Sequence, residues 1–125
     1  MRPKDLRIGN YVQVRDMIAR VDRILSASVD VTFGDGDRKN ILIGNVKPIR
    51  LKNEHFTENG WEPYMFGFKR KTDRTAAKLI VDECGMLLEI DDGGNNVCLD
   101  DVRHVHEVQN AFALFTDIEF KIKMK

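Results

Sequence analysis

No apolar run in this chain of 125 residues is longer than a few residues, far short of the ~20 that a bilayer-spanning helix needs, so the sequence offers no transmembrane segment. Its opening, MRPKDLRIGN, carries charges where a secretory leader carries an apolar stretch; no export signal is expected, and the expected setting is cytoplasmic. Cysteine is scarce. Cys84 and Cys98 are the two present; they cannot build a disulfide framework and read as reduced thiols. Phosphate-loop patterns are missing, since Gly93-Gly94 stands in neither a G-x-G-x-x-G nor a G-K-[ST] context. Net charge is absent too. Twenty Lys and Arg balance twenty Asp and Glu, which removes the global attraction on which non-specific nucleic-acid affinity rests. There is no internal repeat, low-complexity tract or long linker.

What the chain does hold is the composition of a folded domain, 42% hydrophobic and 32% charged, at a length that fits one domain or two very small modules. The charges are unevenly placed. Residues 1–51 carry ten basic and six acidic side chains, and the remainder carries ten and fourteen. Within that remainder, Lys69, Arg70, Lys71, Arg74 and Lys78 form a basic cluster, whereas residues 82–119 hold ten acidic residues and a single Arg. Such a dipolar chain can self-associate or meet a charged partner; solvated strand and helix faces are the plainer reading.

The first fifty residues read as five short strands with turns between them. Residues 11–14, 18–25, 28–33, 40–43 and 46–51 carry the pattern, and Gly34-Asp35-Gly36-Asp37 marks a hairpin. Pro48 suits an edge or a short closing strand. Five turn-linked strands predict a small closed barrel, because closure removes exposed edges. Residues 53–59 then read as a short helix with Asn53 as N-cap. Gly60 falls where a left-handed residue ends a helix, and Trp61 falls where it can pack back on Phe56. Beyond it, strands are predicted at 62–68, 76–82, 86–91 and 96–99, with a basic loop at 69–75 and a hairpin at Asp92-Gly93-Gly94-Asn95.

The last stretch carries the clearest periodicity. Val102, Val105, Val108, Phe112 and Phe115 recur at helical spacing, with Asp100 or Asp101 available as a cap. After residue 117 the pattern changes to strict alternation: Ile118, Phe120, Ile122 and Met124 oppose Glu119, Lys121, Lys123 and Lys125. That is a strand with one buried face. Neither pattern leaves a reactive group behind.

Candidate chemistry is correspondingly thin. His104 and His106 invite a metal reading, but at i and i+2 on a helix they lie about 200° apart and cannot share one ion. In an extended segment they would face the same side, still short of further ligands. A Cys–His nucleophilic site at Cys84 or Cys98 lacks the glycine-flanked elbow that presents such a thiol. Asp91-Asp92 and Asp100-Asp101 are turn and cap residues, and adjacent carboxylates point apart. No catalytic residue, metal ligand or cofactor is assigned. Lys69, Arg70, Lys71 and Arg74 follow Phe66-Gly67-Phe68, and basic residues beside aromatics are how small barrels grip single strands. The alternation of Phe66 and Phe68 nonetheless places both in the core, and the acidic stretch opposes the field of the cluster.

LRIGNYV at residues 6–12, VKPIRL at 46–51, NGW at 59–61 and HVHEVQNAFALFTDIEFKI at 104–122 resemble a group of small, uncharacterised proteins of Bacteroidota and of the phages and mobile elements those bacteria carry. Val105, His106, Gln109 and Asn110 are the most specific part of that resemblance. It implies a cytoplasmic, phage- or mobile-element-linked protein and carries no catalytic residues. LRIGNYV also resembles the first strand of SH3-like or KOW-like barrels, which bind proteins or RNA; a shared fold does not fix function. His106, Gln109 and Asn110, at i, i+3 and i+4, form either a polar recognition patch for a partner or a set of ties to neighbouring backbone.

The sequence thus predicts an α+β protein. An N-terminal five-stranded SH3-like barrel (1–52) is followed by a region (53–125) of a short helix, an antiparallel meander, one long helix and a C-terminal closing strand, all packed as one compact unit. The functional expectation is a non-enzymatic binding or adaptor module. A protein partner is favoured, a nucleic-acid-binding accessory role at Lys69, Arg70, Lys71 and Arg74 is the alternative, and an enzyme using Cys84 or Cys98 comes third. No membrane association is expected, and homo-oligomerisation stays open.

Overall fold

The computed structural model describes every residue except Cys84, Asp117 and Lys125, and of Phe115 the backbone alone. The chain divides into two compact units, one of Met1–Arg50, His104–His106 and Ile122–Lys125 and one of Leu51–Arg103 and Glu107–Lys121. The class is α+β, mostly antiparallel strand with two α-helices. Among the described residues no helix is long and apolar enough to cross a membrane.

The first unit is an antiparallel sheet of β1 (Tyr11–Val14), β2 (Met17–Ile24), β3 (Ser28–Phe33), β4 (Arg38–Leu42) and β5 (Val46–Lys47), in the order β4-β3-β2-β1-β5. Period-two burial selects its core face. Val29, Val31 and Phe33 point inward from β3 and meet Val12, Val14, Ala19, Val21 and Val46. The hairpin at residues 34–37 forms as its glycines require: Gly36 has φ +88°, and Phe33 N–H donates to Asp37 O at 2.8 Å. A single 3-10 turn, Ile43–Asn45, leads into β5, and Val105 N–H donates to Ile49 O at 2.8 Å.

The sheet is not a closed barrel, contrary to expectation. Closure would need β5 to pair with β4 as well as β1, and β5 is only two residues long before Pro48, which has no N–H to donate. Strand β4 offers no apolar seam either, since Arg38, Lys39 and Asn40 are all exposed. Charged edges of this kind are how open sheets resist further pairing.

The second unit is built on a sequential meander of β6 (Glu62–Tyr64), β7 (Gly67–Lys71), β8 (Thr75–Asp82), β9 (Gly85–Asp92) and β10 (Asn95–Leu99). Its register aligns Phe68, Leu79, Leu88 and Leu99 across the inner face, and the first three are buried. Helix α1 (Asn53–Glu58) places Phe56 against that row, with ring centroids 5.4 Å from Phe68. Its stop follows the sequence reading closely. Gly60 has φ +78°, its N–H donates to Thr57 O, and Trp61 N–H donates to Phe56 O at 3.0 Å. Trp61 then packs edge-on against Phe56 at 5.1 Å. This is the paired hydrogen-bond pattern and apolar contact of a Schellman stop, and it accounts for Trp61, which is only 3% exposed, without a binding role.

Four expectations for this unit need correction. The N-cap of α1 is Lys52, not Asn53. Residues 62–68 are a hairpin, β6 and β7 around Met65-Phe66, and the expected basic loop is largely β7. The long helix is α2 (Val105–Phe115), eleven residues, and it starts too far along the chain for Asp100 or Asp101 to cap it; Asp101, at φ +57°, lies two residues before Arg103 and pairs with its guanidinium at 2.9 Å.

Finally, residues 118–124 form no strand. Their alternation is nevertheless real, since Ile118, Phe120 and Ile122 are buried. The reason lies in the backbone partner. Lys121 N–H donates to Asn59 Oδ1 at 2.8 Å, and Asn59 Nδ2 donates to Lys121 O at 2.5 Å. A side-chain amide from the end of α1 takes the place of a neighbouring strand. Phe120 thereby reaches Phe56 at 5.3 Å and Phe112 at 6.3 Å.

Two outcomes follow for chemical denaturation. Phe120→Ala should lower unfolding free energy by about 3–5 kcal/mol, as large core truncations do. Gly67→Ala should cost about 1–3 kcal/mol through overpacking, because its Cβ would sit 1.8 Å from Leu79 O. A midpoint unchanged in either variant contradicts the packing described.

Candidate binding face

Strand alternation divides the basic run instead of gathering it. Arg70 shares the inner face with Phe68, and its Nη1 donates to Asn59 O at the end of α1. It is therefore committed to the helix stop. Lys69 and Lys71 point outward from β7, and Arg74 lies in the following turn with its Nε 3.9 Å from Asp92 Oδ1. The four candidates do not form one surface.

Lys69 joins a different group. It lies directly across from Lys78 on β8, and both ammonium groups sit over the Tyr64 ring, at 5.0 and 5.4 Å from its centroid. Like charges directly opposite on paired strands repel, and the ring quadrupole offsets part of that cost. Carboxylates stand next in the same cross-strand row, Glu62 beside Lys69 and Glu89 beside Lys78. Neither lysine is ion-paired among the described residues. Two cations are thus held side by side on an aromatic face, facing solvent.

Next to them is the tip of the β6–β7 hairpin. Met65 and Phe66 are 82% and 83% exposed, which corrects the expectation that Phe66 joins Phe68 in the core. Met65 has φ +50°, a left-handed conformation uncommon for any residue with a side chain like methionine's. Packing gives no reason for Met there, and backbone preference argues against it. On the same outer face Tyr64 pairs with Gly67 and Ile80 with Leu87, and Ile80 is 36% exposed.

The other half of the face is concave and acidic. A groove of about 440 Å³ is lined by Ala76, Lys78, Glu89, Asp91, Asn96 and Cys98, among others. Cys98 is an exposed free thiol there; Cys84 lies outside the described residues.

The remaining sequence candidates are dispersed. His106, Gln109 and Asn110 are all on α2, His106 buried and the others half-buried, each with interactions already made; His106 belongs to the first unit and the other two to the second. His104 precedes the helix, in a bridge with Arg50, and so stacks on His106 at 5.7 Å instead of lying opposite it. Among the described residues no three His, Cys, Asp or Glu side chains come together to hold a metal. The residues that sequence reasoning missed are Tyr64, Met65, Phe66 and the pairing of Lys69 with Lys78. Pro63, disfavoured within a central strand, was the available hint of an edge and a nearby turn.

Comparison with known proteins finds no matching family model, curated protein or solved structure.

His55, which no motif singled out, has a structural task. Its Nδ1 accepts a hydrogen bond from Lys52 N–H at 3.0 Å, satisfying a donor at the start of α1. Burial pushes its pKa below 6.5. The folded state therefore binds this proton less readily than the unfolded chain, so stability holds above pH 6.5 and is lost as pH falls through the lowered folded value. In His55→Gln, whose side chain can still accept, the loss between pH 7 and 5 should be smaller. Identical pH profiles for the two proteins contradict this role.

Proposed function

We propose that this protein is a non-enzymatic binding module that recognises a protein partner through the outer face of its second sheet. The observation that carries the reading is the Lys69–Lys78 pair over Tyr64, beside an exposed Met65-Phe66 tip. A surface of this composition fits a segment in which carboxylates alternate with apolar side chains. The carboxylates neutralise the two ammonium groups, and the apolar groups cover Phe66, Met65 and Ile80. Charge-assisted contacts and an aromatic anchor are the usual source of such affinity.

The first sheet has the strand order β4-β3-β2-β1-β5, with a 3-10 turn before β5. That connectivity supports an SH3-like reading of the unit, in an open form. It fits an adaptor in the phage- or mobile-element-linked setting that the sequence resemblance implies. Nucleic acid is the second reading, favoured by Phe66, which offers a free ring for base stacking beside lysines. Against it stands the second unit's composition, eight basic and fourteen acidic residues.

The test is titration of isotope-labelled protein with acidic peptides containing interspersed Leu and Phe, and in parallel with oligo-dT. Peptide-induced shifts should centre on Tyr64, Phe66, Lys69 and Lys78 and vanish in Lys69→Glu/Lys78→Glu. Tighter binding of oligo-dT at physiological salt, lost in the same variant, overturns the protein-partner reading. Met65→Gly should raise stability by about 0.5–1 kcal/mol, because glycine tolerates positive φ, while weakening peptide binding. A stabilised variant with unaltered binding removes Met65 from the site.

A further inference from the structure

The outer face of the second sheet carries both halves of a complementary pair. On its β6–β8 side stand Lys69, Lys71 and Lys78, the Tyr64 ring and the Met65-Phe66 tip, with Glu62 at the outer end of the Lys69 row. On its β8–β10 side lies the groove lined by Ala76, Glu89, Asp91, Asn96 and Cys98, with Lys78 of β8 also in its lining. The register sets these as two parallel rows. Glu62, Lys69, Lys78, Glu89 and Cys98 form one, and Lys71, Ala76, Asp91 and Asn96 form the other. Lysines thus concentrate on β7 and β8 and carboxylates on β9, with Glu62 of β6 the exception, and the groove lies on the β9 side.

The internal geometry keeps these charges apart. Glu89 is the neighbour of Lys78 in the row, but Lys78 turns onto Tyr64, and Glu89 is in no ion pair among the described residues. A twofold axis lying in the plane between two such faces, parallel to the strands, lays the lysine flank of one copy over the acidic groove of the other, twice over. Self-complementarity of one patch is the requirement for an isologous dimer, and complementary potentials fix its register.

Resting on the binding face proposed above, we infer that the partner it recognises is a second copy of this chain. Two copies pack outer face to outer face, with Lys69 and Lys78 of each against Glu89 and Asp91 of the other. The Met65-Phe66 tip is covered in the same step, which removes the most exposed large apolar pair among the described residues. Five strands spaced ~4.8 Å apart and about five residues long make a face of a few hundred Å², below the roughly 800 Å² per partner of a standard interface. The dimer is therefore weak.

Sedimentation of the full chain from 10 to 500 µM tests this. Wild type should show a monomer–dimer equilibrium that weakens with added salt. Lys69→Glu/Lys78→Glu should raise the dissociation constant at least about tenfold, as losing close interfacial charge pairs does, and Glu89→Lys/Asp91→Lys should do the same. The chain carrying all four changes should self-associate again yet fail to pair with wild type, a pattern that general destabilisation does not produce. If a variant proves unfolded by circular dichroism, dilution of labelled wild type decides instead. Concentration-dependent shifts should localise to Tyr64, Phe66, Lys69, Lys78, Glu89 and Asp91.

A wild type that stays monomeric throughout, a dimer indifferent to the charge changes, or dilution shifts elsewhere overturns the inference. Acidic peptides binding Tyr64, Lys69 and Lys78 of a monomeric protein would overturn self-recognition and leave the binding-face reading intact. Absence of both peptide binding and dimerisation would remove both.

Discussion

The second unit depends on how its short helix ends. Asn59 is the residue through which that stop acts. Its backbone N–H closes on the helix, its carbonyl takes the Arg70 guanidinium, and its side-chain amide holds Lys121 through both N–H and C=O. One residue thus joins α1, strand β7 and the C-terminal segment. The aromatic core follows from those attachments. Phe56 and Trp61 are set by the stop itself, Phe68 by the strand that brings Arg70, and Phe120 by the segment that brings Lys121. Neutral hydrogen bonds contribute only about 1 kcal/mol each, so the amide's value lies in fixing where large apolar rings are buried.

The same constraint shapes the outer surface. Once Arg70 is drawn inward to Asn59, strand pleating sends Lys69 and Lys71 outward, and the register brings Lys78 opposite Lys69. What looks like a basic cluster in the sequence becomes one structural arginine and a set of outward lysines. Tyr64, directly across from Gly67, supplies the ring on which two of them settle. A side chain at Gly67 is excluded by the approach of Leu79, so that hairpin end keeps a bare position which the tyrosine can cover. The candidate face is in this sense a consequence of the core.

Local signals in the sequence were legible, and non-local ones were not. The helix stop could be read because its participants, Phe56, Thr57, Gly60 and Trp61, lie within six residues. The Gly34–Asp37 and Asp92–Asn95 hairpins were legible for the same reason. The hairpin at Met65-Phe66 was hidden because neither residue is a turn former and Phe66-x-Phe68 imitates strand alternation. The buried face of residues 118–124 was read correctly from its period, but its partner, an amide 62 positions away, leaves no trace in a local pattern. Barrel closure failed on the length of β5 and the polarity of β4, where turn spacing alone suggested a seam. Nothing in the spacing of Lys69 and Lys78 announces that they meet, since that depends on the turn at Thr72–Arg74 and the register it sets.

The most direct measurement is amide hydrogen exchange at Trp61 and Lys121 in wild type and in Asn59→Ala. If the helix stop organises this unit through Asn59, both amides are strongly protected in wild type. Lys121 then loses its acceptor in the variant, Trp61 loosens with it, and the two accelerate together. Rapid exchange of Lys121 in wild type, or protection unchanged by removing the Asn59 amide, would contradict the account.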